Sequence, residues 1–468
     1  MWNPFKKNKE VPIKVQPPKP VQIRQQLINN GTMKRELNAI RTSSAVRSAL
    51  GLGASYTGLD INAVINQQLP ALMIESRDLA LNNPIAKKYF TESANAVAGS
   101  EGLYLRPDLH LFENEQDNID MSQKLEERFY AWSENPEVFD VRGELDFSTF
   151  QNLLELERSI NGEAFVRIHT INGQLRIELI EAVRVPVNNN QFFDDGRYIS
   201  NGIEFNKFDK PIAYYFMHKN PLTYTYDYAL PERVPADEVL HYFVPQFANQ
   251  QRGLPDIIHT KELLKELDSF LEASLVTKKI GSAFMGFIEN DVSNNDDTDI
   301  NATPGTQFFE TEVMEPGAIV ELQPGQRVKD LKPSAATDGI SEYVDQQMTL
   351  ISMGLGITKQ TLTGDTSNAS YSAARLSEKI QQNTFQVRTN QLKVKVLKPL
   401  YKLWMRLELL NNSDSLGLRF SDFDKLLSVQ IYSQRKISLD PLKDAQYEIL
   451  MLQNGLKSKA EIIAETRS

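Results

Sequence analysis

Between residues 289 and 315 the chain carries Glu289, Asp291, Asp296, Asp297, Asp299, Glu310, Glu312 and Glu315, with no lysine or arginine among them. Carboxylates gathered in this way are hard oxygen ligands for calcium or magnesium, and a metal held there would suit metal-dependent chemistry on nucleic acid. The stretch DVSNNDDTD imitates a calcium loop but lacks the glycine of its sharp turn. The twelfth position counted from Asp291 is Ala302 instead of glutamate. A solvated loop, a metal site and an electronegative docking patch all remain open at this point.

Other chemistry finds little support. There is no GxxxxGK[ST] and no Gly-Lys pair, which argues against a nucleotide motor of the P-loop kind. No G-x-S-x-G elbow and no HExxH occurs. The histidines, His110, His169, His218, His241 and His259, are scattered, and three of them fall in strand-like runs where a structural or a merely exposed histidine is expected. The stretch LTGDTSNASYSAARLSEK, residues 362–379, has the small polar residues of a phosphate cradle. Yet a helical pattern, not a strand, leads into it. Asp365, Ser367, Asn368 and Ser370 are also ordinary helix caps, and Gly354, Gly356 and Gly364 suggest a hinge.

These residues need elements to position them. Apolar periodicity predicts helices from Ala71 to Gly99 with an interruption at Pro84, near 117–133 and near 147–160. Residues 162–245 then read as one antiparallel sheet region, with a hairpin at Asn172-Gly173 and a second in GIEFNKFDKPIAYYFMH. Helices return from Asp256 to about 285 and from Ser341 to Gly356. They flank a small β-containing insertion and so place it at the tip of a helix pair. A helix from about Tyr371 to Leu410, roughly 60 Å long, should kink at Pro399, and a helical tail is expected over 440–466. The long helix holds eight basic and two acidic residues over 371–410, a net of +6. Its Arg388, Lys395, Lys402 and Arg406 share one face, expected to be solvated or to meet phosphates or an acidic partner.

The bulk composition bounds the rest. A chain of 468 residues exceeds one ordinary core. It has no cysteine, hence no disulfide or thiolate metal site, and no apolar run long enough to span a membrane. Residues 1–20 hold five prolines and several lysines and read as an extended arm without the apolar core of a secretory signal. The net charge is −10, opposite to that of a protein that grips DNA over a broad surface.

Four stretches, in this order and spacing, resemble the lambda family of portal proteins of tailed double-stranded-DNA bacteriophages. They are ESRDLALNNPIAKKYFTESANAVAG, QRGLPDIIHTKELLKELDSFLEA, EPGAIVELQPGQRVKDLKP and GLGITKQTLTGDTSNASYSAARLSE. The chain departs from the family pattern at Leu81, where an arginine is usual. Tyr371-Ser372-Ala373-Ala374-Arg375 replaces a Tyr-Ser-Ser-x-Arg run, so no role is assigned to its second serine.

The resemblance implies an α+β portal fold. An N-terminal arm (1–56) would precede an α/β wing (57–255), a first stem helix (256–285), a small β-containing clip (286–335) and a second stem helix (336–357). A tunnel loop (358–374), a long kinked wing helix (375–411) and a wing end with a short helical crown (412–468) would follow. It implies no enzyme activity and no cofactor. The partners implied are other copies in a ring of twelve; double-stranded DNA in the channel; the terminase large subunit; a head–tail connector or adaptor; and the major capsid protein. The location implied is a virion capsid vertex, reached from the host cytoplasm during assembly. On this reading Thr363, Asp365, Thr366, Ser367, Asn368, Ser370 and Tyr371 face DNA, with Arg375, Lys379 and Arg388 behind them. Asp296, Asp297, Asp299, Glu310 and Glu312 would dock terminase or connector. The alternative is a metal-dependent nucleic-acid enzyme using the acidic loop 289–315.

Overall fold

The chain folds as a mixed helix-and-strand protein, seen in a computed structural model that describes residues 60–282, 286–290, 326–330, 339–365, 371–433, 441–459 and 462. Helix α1 (Ile61–Asn82) starts at Ile61, upstream of the expected Ala71, and runs through Pro70. Asp60 caps it by accepting the N–H of Asn62. An internal proline costs a helical hydrogen bond. Here the buried face of Ile65, Leu69, Leu72 and Met73 holds the helix together across it. Helix α2 (Pro84–Val97) begins with proline at its first turn and Asn83 as cap, which explains the break expected at Pro84. Strand β1 (Tyr104–Pro107) and helices α3 (Glu115–Ser133), α4 (Pro136–Phe139) and α5 (Phe147–Asn161) follow. Tyr89, Phe90, Phe129, Phe150 and Leu154 are fully buried among them, and each such side chain stabilises the fold by about 1.5–3 kcal/mol.

Strands β2 (Glu163–Ile171) and β3 (Gln174–Ile180) form the expected hairpin. Its turn residues Asn172 and Gly173 take φ 53 and 77, as a tight two-residue turn between twisted strands requires. The antiparallel sheet region expected over 162–245 consists of two sheets. Strands β4 (Gln191–Phe192), β5 (Tyr198–Ser200), β6 (Ile203–Phe205), β7 (Pro211–Lys219) and β8 (Tyr226–Pro235) form one antiparallel meander. Strand β9 (Val239–Phe243) instead pairs with β2, giving a second sheet of order β3-β2-β9. The cause is local: the short 3-10 turn Ala236–Glu238 ends β8 and turns the chain to the other sheet. Phe165 of β2 then meets Tyr214 and Phe216 of β7 edge-on, at 5.8 Å between ring centres in each case. These rings belong to a smaller core shared with α1.

A 3-10 turn (Asp256–His259) leads into α6 (Lys261–Ser282). The insertion's described ends, β10 (Gly286–Asn290) and β11 (Gln326–Asp330), pair antiparallel. Helix α7 (Ile340–Leu355) lies beside α6, with the rings of Phe270 and Tyr343 4.5 Å apart. Helix α8 (Lys359–Thr363) is short, and α9 (Tyr371–Leu392) passes through a π turn (Lys393–Leu397) into α10 (Lys398–Leu416). The π turn explains how the helix tolerates Pro399. Proline has no N–H for the carbonyl of Lys395 and its ring crowds that oxygen. The wider turn lies immediately before the proline, with Lys398 N–H donating to Lys393 O, and takes up the break in the helical pattern there. Beyond α10, α11 (Phe423–Leu426) precedes β12 (Val429–Tyr432), which pairs with β1 across more than 300 residues of chain. Helix α12 (Pro441–Gln453) falls where the helical tail is expected.

Candidate functional site

The polar stretch opened by Leu362 sits between two helices, and both are pinned. Gly356, at φ 69, closes α7 with its N–H donated to Met353 O. Thr358 caps α8 by accepting the N–H of Thr361 at 3.1 Å. Gln381 on α9 then ties α8 down: its Oε1 accepts the Thr358 N–H and the Thr361 hydroxyl, each at 2.9 Å. Leu362 is buried in the main core. Residues 359–363 of the expected loop are therefore a clamped helix, and what remains between α8 and α9 is the stretch 364–370.

Gly364 opens that stretch at φ 73 in uncrowded space. Thr363 is exposed, its hydroxyl donating to Lys359 O and accepting the N–H of Asp365. Asp365 is exposed too. Thr366, Ser367, Asn368 and Ser370 lie outside the described residues, as do Asp296, Asp297, Asp299, Glu310 and Glu312. Tyr371 begins α9, Arg375 lies one turn on, and Lys379 is exposed further along.

Arg388 is placed differently from the open basic face expected of it. Its guanidinium turns inward against α2, donating to the Tyr89 and Ser93 hydroxyls at 3.0 Å each and meeting Asp256 at 3.1 Å. Arg158 grips the same Asp256 with two bonds, at 2.8 and 2.9 Å, and also binds Glu155. Tyr242 donates to Glu155 at 2.6 Å. Two arginines and two carboxylates are thus interlocked where each charge has a partner, with Glu155 and Arg158 buried and Asp256 and Arg388 nearly so. Burial pushes the Asp256 carboxyl up, but Arg158 and Arg388 outweigh it and hold it below the ordinary value of 3.8. The network joins α2, α5 and β9, the turn that starts α6, and α9 behind the loop. Lys395, Lys402 and Arg406 remain exposed, so that part of the basic face does meet solvent.

A second buried cluster sets the other end of the same connection. Arg252 binds Glu163 at 2.5 Å and donates to Asn201 O at 2.6 Å, while His241 lies 2.9 Å from Glu163. Burial lowers the His241 pKa below 6.5, against the pull of Glu163. His241 has the structural role expected of it, and His169 likewise pairs with Glu178. Sequence reasoning did not single out Glu155, Arg158 or Asp256. Their signal was present: Glu155 and Arg158 stand three apart on the same face of α5 as Phe150 and Leu154, where charges persist only if paired.

Among the described residues, no group of three or more histidines and carboxylates is placed to hold a metal, and no helix is long and apolar enough to cross a membrane. A cleft of about 410 Å³ between α3, the β2–β3 turn and α10 is lined by Trp132, Trp404, Arg128 and Glu408, and its two charged groups are paired with each other.

What these residues position is the pair of helices that bounds the stretch 364–370. The family model for phage portal protein, lambda family, matches residues 53–388, and the chain belongs to that family of phage portal proteins. It is 24% identical over 426 residues to a probable portal protein of Halomonas phage phiHAP-1, covering 88% of this chain and 80% of that one. It is 22% identical over 368 residues to portal protein B of Escherichia phage lambda, covering 70% and 68%. Among solved structures it is similar to a chain in the neck of an empty gene transfer agent particle, with 12% identity, a TM-score of 0.47 and coverage of 91% and 99%. A chain in the neck of the native particle, computed with C12 symmetry, matches at 13% identity and a TM-score of 0.44, with the same coverage.

Proposed function

We propose that this chain is the repeating subunit of a portal ring, of twelve copies by family resemblance, set at one capsid vertex. Double-stranded DNA passes through the ring during packaging and ejection. Residues 57–255 serve as wing, 256–285 and 336–357 as stem, 286–335 as clip, and 412–468 as wing end and short crown. The observation that carries the reading is the stretch 364–370, held between clamped helices by Gln381 and Leu362 and built from hydroxyl, amide and small side chains. Asp365 is its one charge. Each phosphate neutralised by a fixed cation adds affinity through counterion release, about 0.9 in the logarithmic salt slope. A ring repeats every such contact, so a channel that must let DNA slide is best lined without them. Thr363, Asp365, Thr366, Ser367, Asn368, Ser370 and Tyr371 approach DNA on this reading. Lys379 and Arg375 stand behind them, and Arg388 acts through its bond to Asp256.

Removing Thr366–Ser370 should leave ring assembly intact and abolish packaging or retention of DNA. Loop-deleted procapsids that fill and hold their genome normally would show the reading to be wrong. The clip is proposed to meet basic surfaces of the terminase large subunit and of the head–tail connector through Asp296, Asp297, Asp299, Glu310 and Glu312. Reversing Asp296, Asp297 and Asp299 to lysine should weaken terminase and connector binding and flatten its salt dependence. Unchanged binding of both partners would leave these carboxylates merely solvated.

A further inference from the structure

Helix α9 is apolar on the side that faces away from the core. Along it and into the π turn that follows, Leu376, Ile380, Asn383, Val387, Asn390 and Val394 recur at steps of four, three, four, three and four, and all are exposed. The four apolar members are 55–62% exposed. On the opposite side Phe385, Thr389 and Leu392 are buried, and Thr389 bonds to Val97 O of α2. The outward side of a solvated helix is ordinarily charged. This strip has no charge at any of its six positions, and depletion of charge marks the centre of a protein interface. The 4-3-4-3-4 spacing is that of a seam packed against another helix, with β-branched Ile380, Val387 and Val394 repeating every seven residues and asparagines between them. It offers phosphate no cation, so DNA is not its occupant.

Closed rings are built head-to-tail, so two different surfaces of one chain must fit each other. A second outward strip of the same period exists on α1: Gln67, Ala71, Ile74, Asp78 and Leu81, all exposed, with Ile74 at 68% and Leu81 at 85%. Helix α2 packs against both α1 and α9, which flank it. The charges complement each other, since Asp78 lies within the α1 strip and exposed Lys379 borders the α9 strip. The geometry points to an intersubunit seam: the outward strip of α9 packs on the outward strip of α1 in the adjacent copy. This inference rests on the ring reading above.

The chain has no cysteine, so introduced thiols report without background. In the full-length protein, Ile74→Cys combined with Val387→Cys should give a ladder of covalent multimers on mild oxidation of rings, and neither single substitution should do so. Ile380→Asp with Val387→Asp should convert rings to monomers by sedimentation while circular dichroism is unchanged, because both residues are already exposed in the single chain. Rings of the double-cysteine protein that give no ladder, or aspartate variants that still form rings, would overturn the seam. So would a rise in thiol labelling of monomeric Val387→Cys on deleting residues 1–56, since the arm would then be the occupant. A wild-type chain that never forms rings instead defeats the portal-ring reading, and the seam with it.

Discussion

Asp256→Ala is expected to cost about 3–5 kcal/mol at pH 7, read as a lower urea midpoint at fixed protomer concentration. The side chain is small and its removal leaves little void, so the loss is electrostatic. Arg158 loses two hydrogen bonds and Arg388 its ion pair, and the Arg158 guanidinium stays buried while that of Arg388 stays mostly shielded. Removing one partner from such a cluster costs far more than the cluster contributes as a whole, because desolvated charge is left behind. The pH dependence follows from the lowered Asp256 carboxyl. A carboxylate held below its unfolded pKa contributes stability that is complete above that pKa, here 3.8, and is lost as pH falls through the lower folded value. The difference between wild type and variant should therefore be constant near neutrality and shrink below about pH 4. A stability within about 0.5 kcal/mol of wild type at pH 7 would mean that the network does not hold the turn before α6 to α2, α5 and α9.

Gly253→Ala should be comparably damaging, by steric means. A Cβ on Gly253 would lie 2.0 Å from the backbone oxygen of Gly162, and one on Gly162 would lie 2.4 Å from the backbone carbon of Leu254. Neither obstacle is a side chain that could rotate away, so the two backbones must separate. That separation pulls the Gly253 N–H from Glu163 and disturbs the buried Arg252 pair beside it. The expected loss is about 3 kcal/mol or more, measured as a lower melting temperature. Gly364→Ala is the control: it has φ 73 but nothing within 4 Å, so it should cost only the left-handed backbone penalty of about 1–2 kcal/mol. Equal melting temperatures for the two variants would refute close backbone contact at Gly253. The same contact gives a physical reason for the Arg252-Gly253-Leu254-Pro255 stretch on which the family resemblance partly rests.

Much of this protein was legible in local pattern. The periods of α3, α5 and α6, the break at Pro84, the helix end at Gly356, and the Asn172-Gly173 turn are properties of a few adjacent residues, and the structure has them where the sequence places them. Family membership was legible for a related reason, since it depends on the order of short motifs and not on their contacts. Three features were not. Residues 162–245 form two sheets because β9 chooses β2 over β8, and strand periodicity specifies a face but not a neighbour. The pairing of β1 with β12 joins opposite ends of the described chain. Arg388, indistinguishable in sequence from Lys395 or Lys402, turns inward because α2 brings Tyr89 and Ser93 against it and the turn before α6 brings Asp256. A charge is buried only where distant segments supply its partners. The sequence alone determined the elements, the family and the polar character of the loop. The tertiary structure alone decided which charges are locked inside to hold that loop and which apolar residues are left facing out.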